Sequence, residues 1–98
     1  MEIMKNKQDT ELTLSLKGRL DTMTAPELEE VVKAELTEIK TLHFDLAALE
    51  YISSAGLRVL LGAQKIMNKQ GTMIIHNAND SIREIFEITG FVDILTIV

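Results

Sequence analysis

The densest candidate for chemistry in this sequence is Ile52-Ser53-Ser54-Ala55-Gly56-Leu57-Arg58. Two serines and a small Ala-Gly pair open a broadly apolar stretch, with Leu57, Val59, Leu60, Leu61, Ala63, Ile66 and Met67, that reads as a deeply packed helix over 54–68. The first turn of a helix offers unpaired N–H donors and the positive end of the dipole, so it tolerates an anion. A serine placed there can carry a phosphoryl group without disrupting the fold. Arg58, four residues after Ser54, stands one turn on and has two equal readings, a counter-charge or a solvated surface arginine. The same residues also have a simpler reading, in which Ser53 is the helix N-cap and the small pair lets helix and sheet approach closely. Spacing alone favours that simpler reading.

Other chemistries fare worse. No Gly-x-Ser-x-Gly elbow surrounds either serine. Of the two histidines, His43 falls inside a strand pattern and His76 ends one, and neither is spaced to act as a base for Ser54. His43 reads as a sheet-face residue. Asp21, Asp45, Asp80 and Asp93 are dispersed without metal-ligand spacing. The glycines fall singly, which excludes a glycine-rich phosphate loop, and there is no cysteine. The pattern therefore gives no support for a metal, a cofactor or enzymatic activity. Asp21 has two readings: a cap of its own turn, or an acidic neighbour of Ser54 at the tip of the sheet.

The elements that position these residues follow from periodicity. With 98 residues, one domain over 1–98 is expected, its core built from Leu, Ile, Val and Met because the only aromatics are Phe44, Tyr51, Phe86 and Phe91. Residues 1–6 form a short strand before a polar turn. Leu12, Leu14 and Leu16 alternate with Thr13, Ser15 and Lys17 as a half-buried strand ended by Gly18. Thr24 and Glu27 have capping-box spacing around Pro26, opening a helix through Leu28, Val31, Val32, Leu36 and Ile39. Leu42, Phe44 and Leu46 mark a strand, and the 54–68 helix closes at Gly71, which allows a left-handed C-cap nearby. Thr72 to His76 is a strand, and Asn79 or Asp80 starts a third helix that points Ile82, Ile85 and Phe86 inward and closes at Gly90. Val92 to Val98 reads as a last strand. The fold class is α/β, a mixed β-sheet with packed α-helices in the order β-β-α-β-α-β-α-β, with parallel crossovers and antiparallel leading strands.

A net charge of −5 makes nucleic acid a poor partner. No apolar run approaches the ~20 residues a membrane span needs, and the first seven residues lack a signal-peptide core. A cytoplasmic protein with no direct membrane insertion is expected, and a monomer.

Three blocks carry a resemblance: Leu16-Lys17-Gly18-Arg19-Leu20-Asp21-Thr22-Met23-Thr24-Ala25; Leu42 to Leu46 with Tyr51 to Leu61; and Gly71 to His76 with Ile82 to Phe91. Over nearly its whole length the chain resembles a freestanding STAS domain of the anti-sigma factor antagonist type. The resemblance implies that Ser54 is the phosphoacceptor. Ser53 is the alternative, because it stands where many antagonists carry Asp; Ala55 replaces a common Ser or Thr. It implies that Asp21 takes part in kinase recognition, and that Thr24, Ser53, Ala55, Gly56 and Arg58 belong to the same partner-binding or kinase-recognition surface. It further implies a partner-switching cycle. The unmodified protein binds an anti-sigma factor that is itself a serine kinase, a sigma factor is released, phosphorylation frees the kinase, and a serine phosphatase resets the system. The alternative is a STAS subunit of a membrane lipid or anion transporter.

Overall fold

A computed structural model describes residues 1–98. The chain runs β1 (Glu2–Gln8), β2 (Glu11–Leu20), α1 (Ala25–Glu35), β3 (Thr41–Ile52), α2 (Ser54–Asn68), β4 (Thr72–His76), α3 (Asp80–Thr89) and a short 3-10 turn at Phe91–Asp93. The four strands form one sheet in the order β1-β2-β3-β4. The first pair is antiparallel and the other two are parallel, which makes the sheet mixed, as expected.

Two right-handed crossovers moving in the same direction across the sheet put α1 and α2 on one face. The alternating leucines of β2, the Leu42, Phe44 and Leu46 row of β3, and Met73 and Ile75 of β4 point to that side. They meet Leu28 and Val32 of α1, Leu57, Leu60, Ala63 and Met67 of α2, and Ile82 and Phe86 of α3, all buried. The opposite face, carrying Glu11, Thr13, Ser15, His43, Asp45 and His76, is part-exposed. His43 is thus the sheet-face residue its alternating neighbours predicted.

Several expectations change. Gly18 does not end β2. It sits inside the strand at φ 105, between register irregularities at Ser15/Lys17 and Gly18/Arg19, and the strand continues to the fully buried Leu20. Only a residue without a Cβ adopts that φ readily. β3 likewise runs on to Ile52, past the alternation visible at Leu42 to Leu46. Helix α1 stops at Glu35, and Leu36 and Ile39 are buried in the connection that follows it. The end of α2 is not left-handed: its cap, Lys69, is right-handed helical. Gly71 is needed for another reason, since a Cβ there would overlap the Lys40 carbonyl, which accepts the Thr72 N–H at 2.9 Å.

The expected last strand over 92–98 does not form. Gly90 caps α3 at φ 79, and the chain then continues in helical turns, with the Leu95 N–H donating to the Phe91 carbonyl at 2.8 Å. Too few residues remain for a ladder. What is left is one parallel bridge from Ile97 to Ile75, in which Ile75 N–H donates to Thr96 at 2.8 Å and Val98 N–H donates to Ile75 at 3.0 Å. The observed order is β-β-α-β-α-β-α.

Candidate functional site at the tip of the sheet

Strands β2 and β3 end together. Leu20 pairs with Ile52, and the Ser53 N–H donates to the Leu20 carbonyl at 2.9 Å. The segments that leave them, Asp21 to Thr24 and Ser53-Ser54, therefore start side by side. This parallel register is what brings the first and second blocks of the sequence to one place.

Ser53 is extended, at φ −97 and ψ 175, and its Oγ accepts the Gly56 N–H at 3.3 Å. Its carbonyl accepts the Leu57 N–H at 2.9 Å, the first bond of α2. Ser53 is the N-cap, as the simpler reading held. Ser54 is the first residue of the helix and is exposed, and its hydroxyl bonds to no other group of the protein. A phosphoryl group there meets the unpaired N–H groups of the first turn with no native contact to break. The two serines are thus unequal: modification of Ser53 sacrifices a cap, and modification of Ser54 does not.

Gly56 is buried, as the close-packing reading of the small pair held, and does not itself face a partner. A Cβ on it would lie 2.7 Å from Leu20 Cγ and 2.9 Å from Ile52 Cγ1. Its role is to let α2 sit against the ends of β2 and β3, which fixes where Ser54 emerges. Ala55 is half-buried. It lines a groove of about 190 Å³ between the starts of α1 and α2, together with Thr22, Pro26, Glu29 and Arg58. Arg58 is exposed one turn below Ser54 and forms no ion pair within the chain.

The capping box expected at Thr24 and Glu27 is absent. Thr24 is already helical, at φ −102 and ψ −19, and its side chain caps nothing in α1. Its hydroxyl instead donates to the Arg19 carbonyl at 2.8 Å and accepts the Asp21 N–H at 2.9 Å. Asp21 does the capping. Its Oδ1 accepts the N–H groups of Met23 at 3.0 Å and Thr24 at 3.2 Å, and its carbonyl accepts the Ala25 N–H at 2.8 Å. Partial desolvation pushes the Asp21 carboxyl up. The Thr24 and Met23 N–H groups, the Thr24 hydroxyl and the Arg19 guanidinium outweigh it, and the group lies below its ordinary 3.8. Asp21 thus caps its own turn, in the segment that leaves β2 where Ser53 leaves β3.

Three tip residues were not singled out from the sequence. Arg19 and Tyr51 are register partners, and the guanidinium carbon lies 4.5 Å from the Tyr51 ring centre, a cation–π contact. Arg19 Nε is also 3.9 Å from Asp21 Oδ2. Met23 is 84% exposed, held out by the turn that Asp21 locks. An apolar side chain within the otherwise polar Asp21-Thr22-Met23-Thr24 was the signal for it. The Arg19–Tyr51 pair left no such signal, because it depends on the strand register.

A four-stranded mixed sheet with helices on one face is the fold of a known domain. The STAS domain profile matches residues 2–98, and the chain belongs to the STAS domain family. It is 30% identical over 96 residues to the anti-sigma-B factor antagonist of Listeria monocytogenes, covering 96% of this chain and 84% of that one. It is 31% identical over 97 residues to the anti-sigma-B factor antagonist of Staphylococcus aureus, covering 97% and 90%. Among solved structures, an anti-sigma factor antagonist from Mycobacterium paratuberculosis superposes with a TM-score of 0.89 at 24% identity, over 98% of this chain and 83% of that one. SpoIIAA in its unphosphorylated form gives 0.78 at 15% identity, over 99% and 87%. The structural likenesses establish the fold. No helix is long and apolar enough to cross a membrane.

Proposed function

We propose that this protein is an anti-sigma factor antagonist controlled by phosphorylation of Ser54. With Ser54 unmodified, the tip formed by Asp21, Met23, Ser54 and Arg58 binds an anti-sigma factor that is also a serine kinase, and the sigma factor it held is released. Phosphorylation of Ser54 ends the complex, and a serine phosphatase restores the binding form. The protein acts by binding rather than by catalysis, as a monomer and in the cytoplasm.

The observation that carries this reading is the exposed, unbonded Ser54 hydroxyl at the first residue of α2, next to a serine that is already committed as the cap. Full-length similarity to curated antagonists supports it. The transporter-subunit reading has less behind it. A sulfate transporter family protein from Wolinella succinogenes shares the fold at a TM-score of 0.72, but at 18% identity.

The energetics favour an effect of the phosphate at the interface. Phosphoserine adds a charge of about −1.5 to −2. At a helix N-terminus it stabilises by about 0.3–1 kcal/mol, so the domain stays folded. A partner packed over Ser54 would instead have to desolvate a dianion, a mismatch of several kcal/mol. Mass spectrometry after incubation with the cognate anti-sigma kinase and ATP tests the assignment. One phosphate on Ser54 is expected, and no phosphate on Ser54 contradicts it.

A further inference from the structure

The chain has only two histidines, and they touch. His43 Nδ1 lies 2.8 Å from His76 Nε2, with the rings 5.0 Å apart and tilted by 35°. On its other side, His43 Nε2 lies 2.8 Å from Glu11 Oε1. The three residues come from β2, β3 and β4, on the sheet face that carries no helix. They line a pocket of about 370 Å³ that has no hydrophobic residue in its wall. The pocket is remote from α2 and plays no part in the site at the tip. No three His or carboxylate groups there are arranged to hold one metal ion, so the cluster is read through its protons.

A carboxylate only accepts, so His43 Nε2 carries the hydrogen that points at Glu11. With His43 neutral, its Nδ1 is then a bare acceptor, and His76 Nε2–H donates to it. A first added proton goes to His76 Nδ1 and leaves both bonds intact. A second must go on His43 Nδ1, and two N–H groups then face each other across 2.8 Å, each on a cation. The contact cannot survive that. The charged groups facing the pair are Glu11 from β2 and Asp45 from β3; β1 contributes the neutral Asn6 and Gln8, and α1, α2 and α3 lie behind the sheet.

We propose that Glu11, His43 and His76 form an acid-released latch across β2, β3 and the edge strand β4. One added proton leaves the latch closed, and the second opens it. The end of β4 is where release matters, because His76 is followed by Asn77, left-handed at φ 61 and tied back to Asp45 Oδ1 at 3.1 Å. This turn leads into α3, whose cap Asn79 bonds the Leu49 carbonyl at 3.2 Å.

Imidazole nitrogen NMR on the intact protein, followed from mildly alkaline to mildly acidic pH, tests the latch. In the wild type the two protons enter in separate steps, the second at lower pH than the first. His76→Gln leaves His43 with a single step, above the pH at which the second proton entered the pair. Glu11→Gln keeps both rings, removes the facing carboxylate, and moves both steps to lower pH. Amide exchange at Ile74, Ile75 and His76 accelerates as the second proton enters, in the wild type and not in His76→Gln. Two imidazoles that titrate together, with His43 indifferent to His76→Gln, overturn the proposal.

Discussion

The Ser53 hydroxyl accepts the backbone N–H of Gly56 at 3.3 Å, and that bond separates the roles of two adjacent serines. Ser53 belongs to the fold. Ser54, one residue on, is exposed and unbonded, and belongs to the surface.

Substituting the two serines should therefore give opposite results. Ser53→Ala loses the cap and should cost about 1 kcal/mol in chemical denaturation while leaving Ser54 open to the kinase. Ser54→Ala should change stability by less than about 0.5 kcal/mol and abolish phosphorylation. Equilibrium unfolding and phosphopeptide mapping of the two variants check both halves.

Two glycines of α2 make a second contrasting pair. Gly56→Ala drives a methyl into Leu20 and Ile52 and should destabilise by about 1–3 kcal/mol. Gly62 has nothing within 4 Å of where a Cβ would stand, and it lies in the helix interior. Gly62→Ala should stabilise by up to about 1 kcal/mol, the difference in helix propensity. Thermal melts of the two variants should move in opposite directions from wild type.

Acid should weaken the fold through Asp45. The Asn77 amide and the Ala47 N–H hold its carboxyl below the ordinary 3.8, against partial burial and with help from His76. A carboxyl depressed in the folded state adds stability that is fully present above its unfolded value and is lost as pH falls through the folded one. Asp45→Asn should therefore be less stable than wild type near neutrality, and the gap should close below pH 3.8. A gap that stays constant into that range would contradict the assignment.

Much of this was legible in the sequence, for local reasons. The Leu12, Leu14, Leu16 alternation and the apolar run after Ser54 fixed β2 and α2, because burial on one face imposes their periods. The Ser53 cap was readable from residue type and position. What escaped was set by contacts distant in sequence. Thr24 looked like a cap, but its hydroxyl turned back to Arg19 once Asp21 had claimed the turn. Gly56 was legible as a small residue for close helix–sheet packing, but Leu20 and Ile52, the side chains it packs against, were not. The segment after Gly90 had strand-like residues, yet it opens with a 3-10 turn at Phe91–Asp93 whose Phe91 carbonyl accepts the Ile94 and Leu95 N–H groups. The Glu11, His43 and His76 chain joins three strands whose register no local pattern encodes.

The central claim is that phosphate on Ser54 acts at the interface and not on the fold. Its most direct test compares the affinity of the unmodified protein and of protein phosphorylated only at Ser54 for the cognate anti-sigma factor. A penalty of about 3 kcal/mol predicts roughly hundredfold weaker binding by the phosphoprotein. Equal affinities of the two forms would contradict the account.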